Sequence, residues 1–489
     1  MFSLISSFVS KTVRRMGVLA LAAAVCSTAN AAPPPSPPRP NFVFLLIDDM
    51  GYADLSCFGG KPGATPQVDA VAAEGLRFSQ FYVGSPICSP SRTAFTTGQC
   101  PARWGITSYL ASREENNRRG MAQWLDPRAP TLAKTLRKAG YATGHFGKWH
   151  MGGQRDVGDA PLITEYGFDV SLTQFEGLGD RILPLLDPFD GTAPKEYALG
   201  SDKLGRGNIQ WMDRSKVTGA FVRRGIEFMK EAQKAGKPFY VNVWPDDVHS
   251  PFFPPKLYRG DGSKRELYLG VVKAMDAQFA ALFDFLRSSP ALRTNTIVFI
   301  ASDNGPEPGA GSAGPLRGHK GMLYEGGVRE PFIVWAPGFM PESVWGTLDK
   351  TTVVWGADLL PSVARLAGVS LPANEVWDGE DLSAAFFGKA QTRSKPLFWN
   401  RPPDRAGPDS APWPDLAMRE GNWKFLMMRD GSLPQLFDLQ TDVGEARNVA
   451  AQNPEKVQQM TRTLRSWWQG LPEAQKAGKV APEPKKAAQ

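Results

Sequence analysis

The sequence predicts an α/β protein with a large, mainly parallel sheet flanked by helices. Three observations carry that expectation. Apolar runs of strand length, such as Asn41 to Ile47 and Asn295 to Ala301, read as buried strands. They alternate with helical stretches, the longest being Ser215 to Lys234 and Lys264 to Arg287. Polar residues also follow directly after several of these strands, where open α/β sheets bind their ligands.

The elements follow in order. Lys11, Arg14 and Arg15 precede the apolar run Val18 to Val25, and Ala29-Asn30-Ala31 follows it. That is the layout of a secretory signal, so residues 1–31 are expected to direct export to the periplasm or the medium. Arg14-Arg15 also fits a twin-arginine signal. The run is too short to span a bilayer comfortably, and no other long apolar run occurs, so no membrane insertion is expected. Residues 32–40 are Pro-rich and read as an extended lead-in. Thr65-Pro66 opens a helix through Glu74, and Leu76 to Val83 is the next strand.

Thr131 caps a helix to Ala139, and Tyr141 to Phe146 is a strand. Residues 152–213 are rich in Gly, Asp and Pro with little periodicity, and read as substrate loops. Lys237 to Val243 and Pro331 to Trp335 are further strands, and Ala357 to Ala367 a helix. From about Gln391 the pieces shorten: Pro396 to Asn400, Leu416 to Arg419, Trp423 to Arg429 and Gln435 to Asp438, then a helix from Pro454 to Gln469. This predicts a smaller C-terminal antiparallel sheet plus helix. The expected organisation is a catalytic domain over residues 32–390, an α+β subdomain over 391–471 and a disordered tail over 472–489.

The 489 residues are 42% hydrophobic and 21% charged, as in ordinary globular proteins. The formal net charge of +7 falls to +4 without the three cations of the signal, and to about +2 without the tail's four Lys and two Glu. That is no nucleic-acid footprint. Of four Cys, Cys26 leaves with the signal, so Cys57, Cys88 and Cys100 remain. An odd count in an exported protein calls for one special thiol; pairing of Cys57 with Cys100 stays open.

The candidate for that thiol is Cys88, in Cys88-Ser89-Pro90-Ser91-Arg92. Ser89 reads as a helix cap, Pro90 as the first helical residue and Gly98 as the stop. Cys88 then sits at a helix N-terminus beside Arg92, an anion-receiving position. Taken alone, it would read as a small buried hydrophobe. Four other strand ends carry Asp48 and Asp49, Lys148 and His150, His249, and Asp303 and Asn304. Asp48, Asp49, Asp303 and Asn304 offer only oxygen, which suits a hard cation, calcium ahead of magnesium. Of the four His, His145 reads as structural, and His319 is left open. Lys148 and Lys320 flank glycines that let an anion approach. Trp211, Phe252 and Phe253 suit either a sugar site or the core.

These motifs together resemble the type I, formylglycine-dependent sulfatases of the alkaline phosphatase superfamily, in the branch of arylsulfatase A and N-acetylgalactosamine-6-sulfatase. The resemblance lies in Cys88 to Arg92, Gly98, Gly147-Lys148-Trp149-His150, His249-Ser250-Pro251 and Ser302-Asp303-Asn304-Gly305. It continues through Lys320-Gly321, Glu325-Gly326-Gly327, Trp423-Lys424 and Leu436-Phe437-Asp438-Leu439, spanning roughly residues 41–450. Gln99-Cys100 stands where the family more often has Gly-Arg.

The resemblance implies an alkaline-phosphatase-like fold and a formylglycine made from Cys88 by a formylglycine-generating or anaerobic sulfatase-maturing enzyme. Its hydrated aldehyde attacks sulfur with one hydroxyl and expels sulfate with the other. It implies one cation held by Asp48, Asp49, Asp303 and Asn304 with the oxygen at position 88. Arg92 and Lys148 would hold the diol, and His150 would be the base for elimination. His249 and Lys320 would bind sulfate, one of them protonating the leaving oxygen. The expected substrate is a sulfated small molecule or glycan. Phosphate or phosphonate ester hydrolysis in the same superfamily, and an inactive sulfated-glycan-binding protein, are the competing readings.

Overall fold

Every residue of β1 (Asn41–Ile47) is buried, which places this strand inside a sheet covered on both faces. In the computed structural model, which describes residues 39–408 and 410–472, Phe42, Phe44 and Leu46 enter one core and Val43, Leu45 and Ile47 the other. That alternation is the two-residue period of a strand. The remaining strands are β2 (Leu76–Tyr82), β3 (Ala142–Gly147), β4 (Val170–Leu172), β5 (Arg181–Leu186), β6 (Lys195–Glu196), β7 (Ile209–Asp213) and β8 (Phe239–Trp244). They continue as β9 (Thr296–Ser302), β10 (Arg329–Trp335), β11 (Thr347–Asp349), β12 (Val354–Trp355), β13 (Leu397–Asn400), β14 (Leu416–Glu420), β15 (Trp423–Met427) and β16 (Gln435–Asp438).

The main sheet has nine strands in the order β11-β2-β10-β9-β1-β8-β3-β4, with β12 also beside β2. Only β10 runs against its neighbours, pairing antiparallel with β9 and β2. The parallel strands therefore end on one edge, and β10 begins there. On one face lie the helices Cys88–Thr97, Leu132–Lys138 and Leu359–Leu366; on the other, Pro66–Ala73, Val217–Lys234 and Lys264–Arg287. Thr131 caps its helix by accepting the Lys134 N–H, as its position predicts.

The second sheet, β13-β14-β15-β16, is antiparallel throughout and packs Met418, Phe425 and Leu436 against Met460 and Leu464 of the helix Pro454–Gln469. It is pinned to the main sheet by buried charge. Lys424 Nζ on β15 lies 2.8 Å from Glu325 Oε1 and 3.3 Å from Glu445 Oε1. Glu325 also accepts from Tyr82 Oη at 2.6 Å and pairs with Arg329 at 3.1 Å. Two motifs far apart in sequence, Glu325-Gly326-Gly327 and Trp423-Lys424, thus meet in one ion cluster, and losing one partner of such a cluster is strongly destabilising.

Two expectations change, and one open question closes. Ser89 does not cap: the helix starts one residue before it, at Cys88, and Ser89 Oγ accepts the Leu110 N–H at 2.9 Å. Pro90 is then the third helical residue, still within the turn where a missing N–H loses no helix bond. Residues 152–213 are not loops alone, since β5 lies between β6 and β7 in a three-stranded sheet. Pro184 inside β5 disguises it. The pairing left open between Cys57 and Cys100 does not form: both are free thiols, packed with cores on opposite faces of the sheet. The signal and all but Pro472 of the expected tail lie outside the described residues.

Candidate active site

The predicted residues meet where the parallel strands end. Asp48 and Asp49 follow β1, Lys148 and His150 follow β3, His249 lies beyond β8, and Asp303 and Asn304 follow β9. β2 leads to Cys88, and the loop before the reversed β10 returns Lys320 to the same edge. Gly147 is required at the end of β3: its φ is 125°, and a Cβ there would stand 2.1 Å from the Trp244 carbonyl oxygen. Asp49 and His150 have φ of 57° and 54°, left-handed values that cost a non-glycine residue about 1–3 kcal/mol. Both are held there by their backbone N–H groups, Asp49 to Asp303 Oδ1 at 3.1 Å and His150 to the Glu176 carbonyl at 2.7 Å.

Oxygens of Asp48, Asp49 and Asp303 all lie within 4.8 Å of one another, fully buried. Three cations answer them. Arg92 donates from Nε to Asp303 Oδ2 at 2.8 Å and from Nη2 to Asp48 Oδ1 at 3.2 Å. Its Nη1 donates to the Lys148 carbonyl at 2.8 Å, so every guanidinium nitrogen is turned to the carboxylate cluster or the backbone. Lys148 Nζ donates to Asp48 Oδ2 at 2.7 Å, and Lys320 Nζ to Asp49 Oδ2 at 2.5 Å. Asn304 Nδ2 donates to Asp49 Oδ1 at 2.7 Å, while Asn304 Oδ1 is buried without a partner.

This donor set fits a hard divalent cation. Burial and the Asp48 charge push Asp303 up to about 8, even with Arg92 beside it. Arg92 thus does not offset the burial of Asp303, and a bound cation would relieve both this carboxylate and the orphaned Asn304 oxygen.

Cys88 is the first residue of its helix and 1% exposed. Its Sγ lies within 4.8 Å of an Asp48 oxygen and of a His249 nitrogen. Burial drives the thiol well above its usual range despite Lys148 and Lys320 nearby, the reverse of what a thiolate nucleophile needs. His249 Nδ1 faces the Ser250 carbonyl at 2.7 Å, which directs Nε2 to the site, 3.7 Å from Asp49 Oδ2. His150 Nε2 faces the Leu110 carbonyl at 2.9 Å, and Nδ1 faces Glu176 Oε2 at 3.0 Å.

Glu176 is the buried site residue that the sequence did not disclose. Burial raises its carboxyl, but His150 and Lys148, whose Nζ lies 3.1 Å away, outweigh that and hold it at about 2. Burial pushes His150 down to about 3 against the pull of the Glu176 carboxylate, which its Nδ1 faces. His145 is structural as expected, buried against Trp149 and Trp244. His319 bonds the Lys320 carbonyl through Nδ1 at 2.9 Å and stands edge-on to Trp413.

These groups form the floor of a cavity of about 350 Å³, with Cys88, His150, Glu176, His249 and Lys320 in its lining. Its aromatic wall is Tyr109, Phe175 and Tyr197, not Trp211, Phe252 or Phe253. Phe252 belongs to the core, and Phe253 packs at a tilt against Phe189 elsewhere.

A family model described as Sulfatase matches residues 40–369. The chain belongs to the sulfatase family. Arylsulfatase A of Bos taurus is 32% identical to it over 446 residues, covering 84% of this chain and 83% of the relative. N-acetylgalactosamine-6-sulfatase of Canis lupus familiaris is 31% identical over 395 residues, covering 77% and 71%. The solved structure of Ps i-CgsB in complex with k-i-k-neocarrahexaose aligns with a TM-score of 0.73 at 26% identity, over 89% of this chain and 94% of that one. The protein is accordingly a sulfuric ester hydrolase with the alkaline-phosphatase-like sulfatase fold. Sulfatases generally work through a formylglycine and a divalent metal, and this sulfatase has an oxygen-rich cluster beside its signature cysteine. No helix among its described residues is long and apolar enough to cross a membrane.

Proposed function

We propose that this sulfatase hydrolyses sulfate esters of carbohydrates, with Cys88 converted to formylglycine as the nucleophile and calcium as the metal. The observation that carries the assignment is the burial at a helix N-terminus of the Cys88 thiol, which burial raises well above its usual range, against three carboxylates and their cations. When hydrated, the aldehyde supplies one oxygen to attack sulfur and a second to expel sulfate. Calcium would be held by Asp48, Asp49, Asp303 and Asn304, with the oxygen at position 88, and would supply positive charge to the sulfuryl oxygens.

The chain's own residues do the rest. Arg92 orients Asp48 and Asp303 and fixes the Lys148 backbone. Lys148 acts on the Cys88 thiol through its charge, His150 lines the same cavity as Cys88, and Glu176 faces both Lys148 and His150. By the family resemblance His150, with Glu176 beside its Nδ1 at 3.0 Å, is the base of the elimination step. Lys320 and His249 bind the sulfate, and His249, whose side chain is 30% exposed to the cavity, protonates the leaving oxygen from Nε2. The N-terminal signal directs export to the periplasm or the medium, and a formylglycine-generating or anaerobic maturing enzyme acts on the Cys88 segment before it is buried.

Leaving-group dependence tests this assignment. His249→Ala should lower kcat/KM for a sugar or alkyl sulfate by about 10²–10³-fold. Nitrophenyl sulfate, whose leaving oxygen hardly needs a proton, should lose far less. Equal losses on both substrates would move the acid role to Lys320. In the same assay, a phosphate monoester turned over faster than its sulfate counterpart would reverse the reading of the anion.

A further inference from the structure

The lining of the cavity carries charge that one sulfate ester does not use. Two carboxylates line it, and each already faces a cation: Glu176 faces Lys148 at 3.1 Å, a lysine it shares with Asp48, and Glu307 faces Lys264 at 3.3 Å. Two guanidinium groups line it as well, Arg155 and Arg405, and neither has an ion-pair partner among the described residues. The carboxylate next to Arg405, that of Asp404, is taken by Arg119 at 3.0 Å. Arg405 lies over the ring of Tyr109, its guanidinium carbon 5.7 Å from the ring centroid, which steadies the charge without neutralising it. The floor already has Lys320 and His249 for the scissile sulfate. Arg155 and Arg405 are therefore surplus to a monoanionic substrate, and guanidinium is the side chain best shaped for a carboxylate or sulfate.

We propose that the cavity is built for an acidic glycan, a sulfated sugar bearing a second anion that Arg155 and Arg405 receive while the scissile ester lies at Cys88. Tyr109 and Tyr197 then flank the sugar between the two anions. The second anion is a uronic carboxylate or another sulfate, which share the chemistry Arg recognises. The inference rests on the sulfatase activity assigned to Cys88.

The test compares kcat/KM of the matured protein on matched sulfated disaccharides. One is neutral apart from a single sulfate, one carries a second sulfate and one a uronate; nitrophenyl sulfate serves as reference. At least one acidic disaccharide should exceed the neutral one by roughly tenfold, chiefly through KM, and the arm that does so identifies the anion. In the double variant Arg155→Gln, Arg405→Gln this preference should fall to within about twofold. A second measurement needs no variant: the preferred acidic disaccharide should inhibit nitrophenyl sulfate hydrolysis at a roughly tenfold lower concentration than the neutral one. Absence of any acidic preference, or its survival in the double variant, overturns the proposal. Absence of nitrophenyl sulfate turnover in the unsubstituted protein instead overturns the sulfatase assignment beneath it.

Discussion

Cys88→Ala is expected to lower kcat/KM for nitrophenyl sulfate by on the order of 10⁴-fold or more, with the fold retained. The size of the loss follows from the chemistry at that position. Removing a covalent nucleophile removes the reaction path, and what remains comes from binding and electrostatics alone. The fold is retained because the change is small: Cys88 is buried, but alanine needs less room, keeps the helix and strands no polar partner, for a cost of about 1 kcal/mol. The variant should still bind sulfate esters, since Lys320, His249 and the carboxylate cluster are untouched. Substrate protection in a thermal melt measures that binding, and steady-state kinetics the loss. A variant as active as the parent would remove Cys88 from the centre of the site.

Removing the metal should have the second largest effect. EGTA treatment followed by exhaustive dialysis should abolish turnover, and calcium should restore it more fully than magnesium. A stability change should accompany the loss. Three carboxylates share one buried cluster, and Asp303 is driven up to about 8 by burial and the Asp48 charge. Calcium at a hundred times its dissociation constant would add about 2.7 kcal/mol to the folded state. The melting temperature should therefore rise on calcium addition, and Asp303→Asn should blunt both the rise and the recovery of activity. Full activity in a metal-stripped sample would contradict the assignment.

The site was legible in the sequence where a strand ended. Asp48, Lys148 and Asp303 could be placed because their strands are apolar runs closed by turn residues, and parallel strands put their ends on one edge. Lys320 was legible only through its motif; the reversal of β10, which brings it to that edge, has no local signal. Arg92 shows a subtler gap. Its motif marks it as a site residue, but only the fold shows all its nitrogens committed to Asp303, Asp48 and the Lys148 carbonyl. Glu176 was not legible because it lies in a stretch whose Gly, Asp and Pro hide β5 to β7. Its function depends on Lys148 and His150, which reach it from another strand end. Arg155, Tyr109 and Arg405 come from three separated loops, so no spacing rule groups them. Their common cavity exists only in three dimensions.

The modification state of position 88 tests the account most directly. Trypsin should release the peptide Phe78–Arg92, which contains Cys88, from protein of measured activity. The account predicts an aldehyde at that position, reactive toward a hydrazide and refractory to thiol alkylation, in an amount that tracks activity from one preparation to the next. An intact, alkylatable Cys88 thiol throughout a fully active preparation would contradict it.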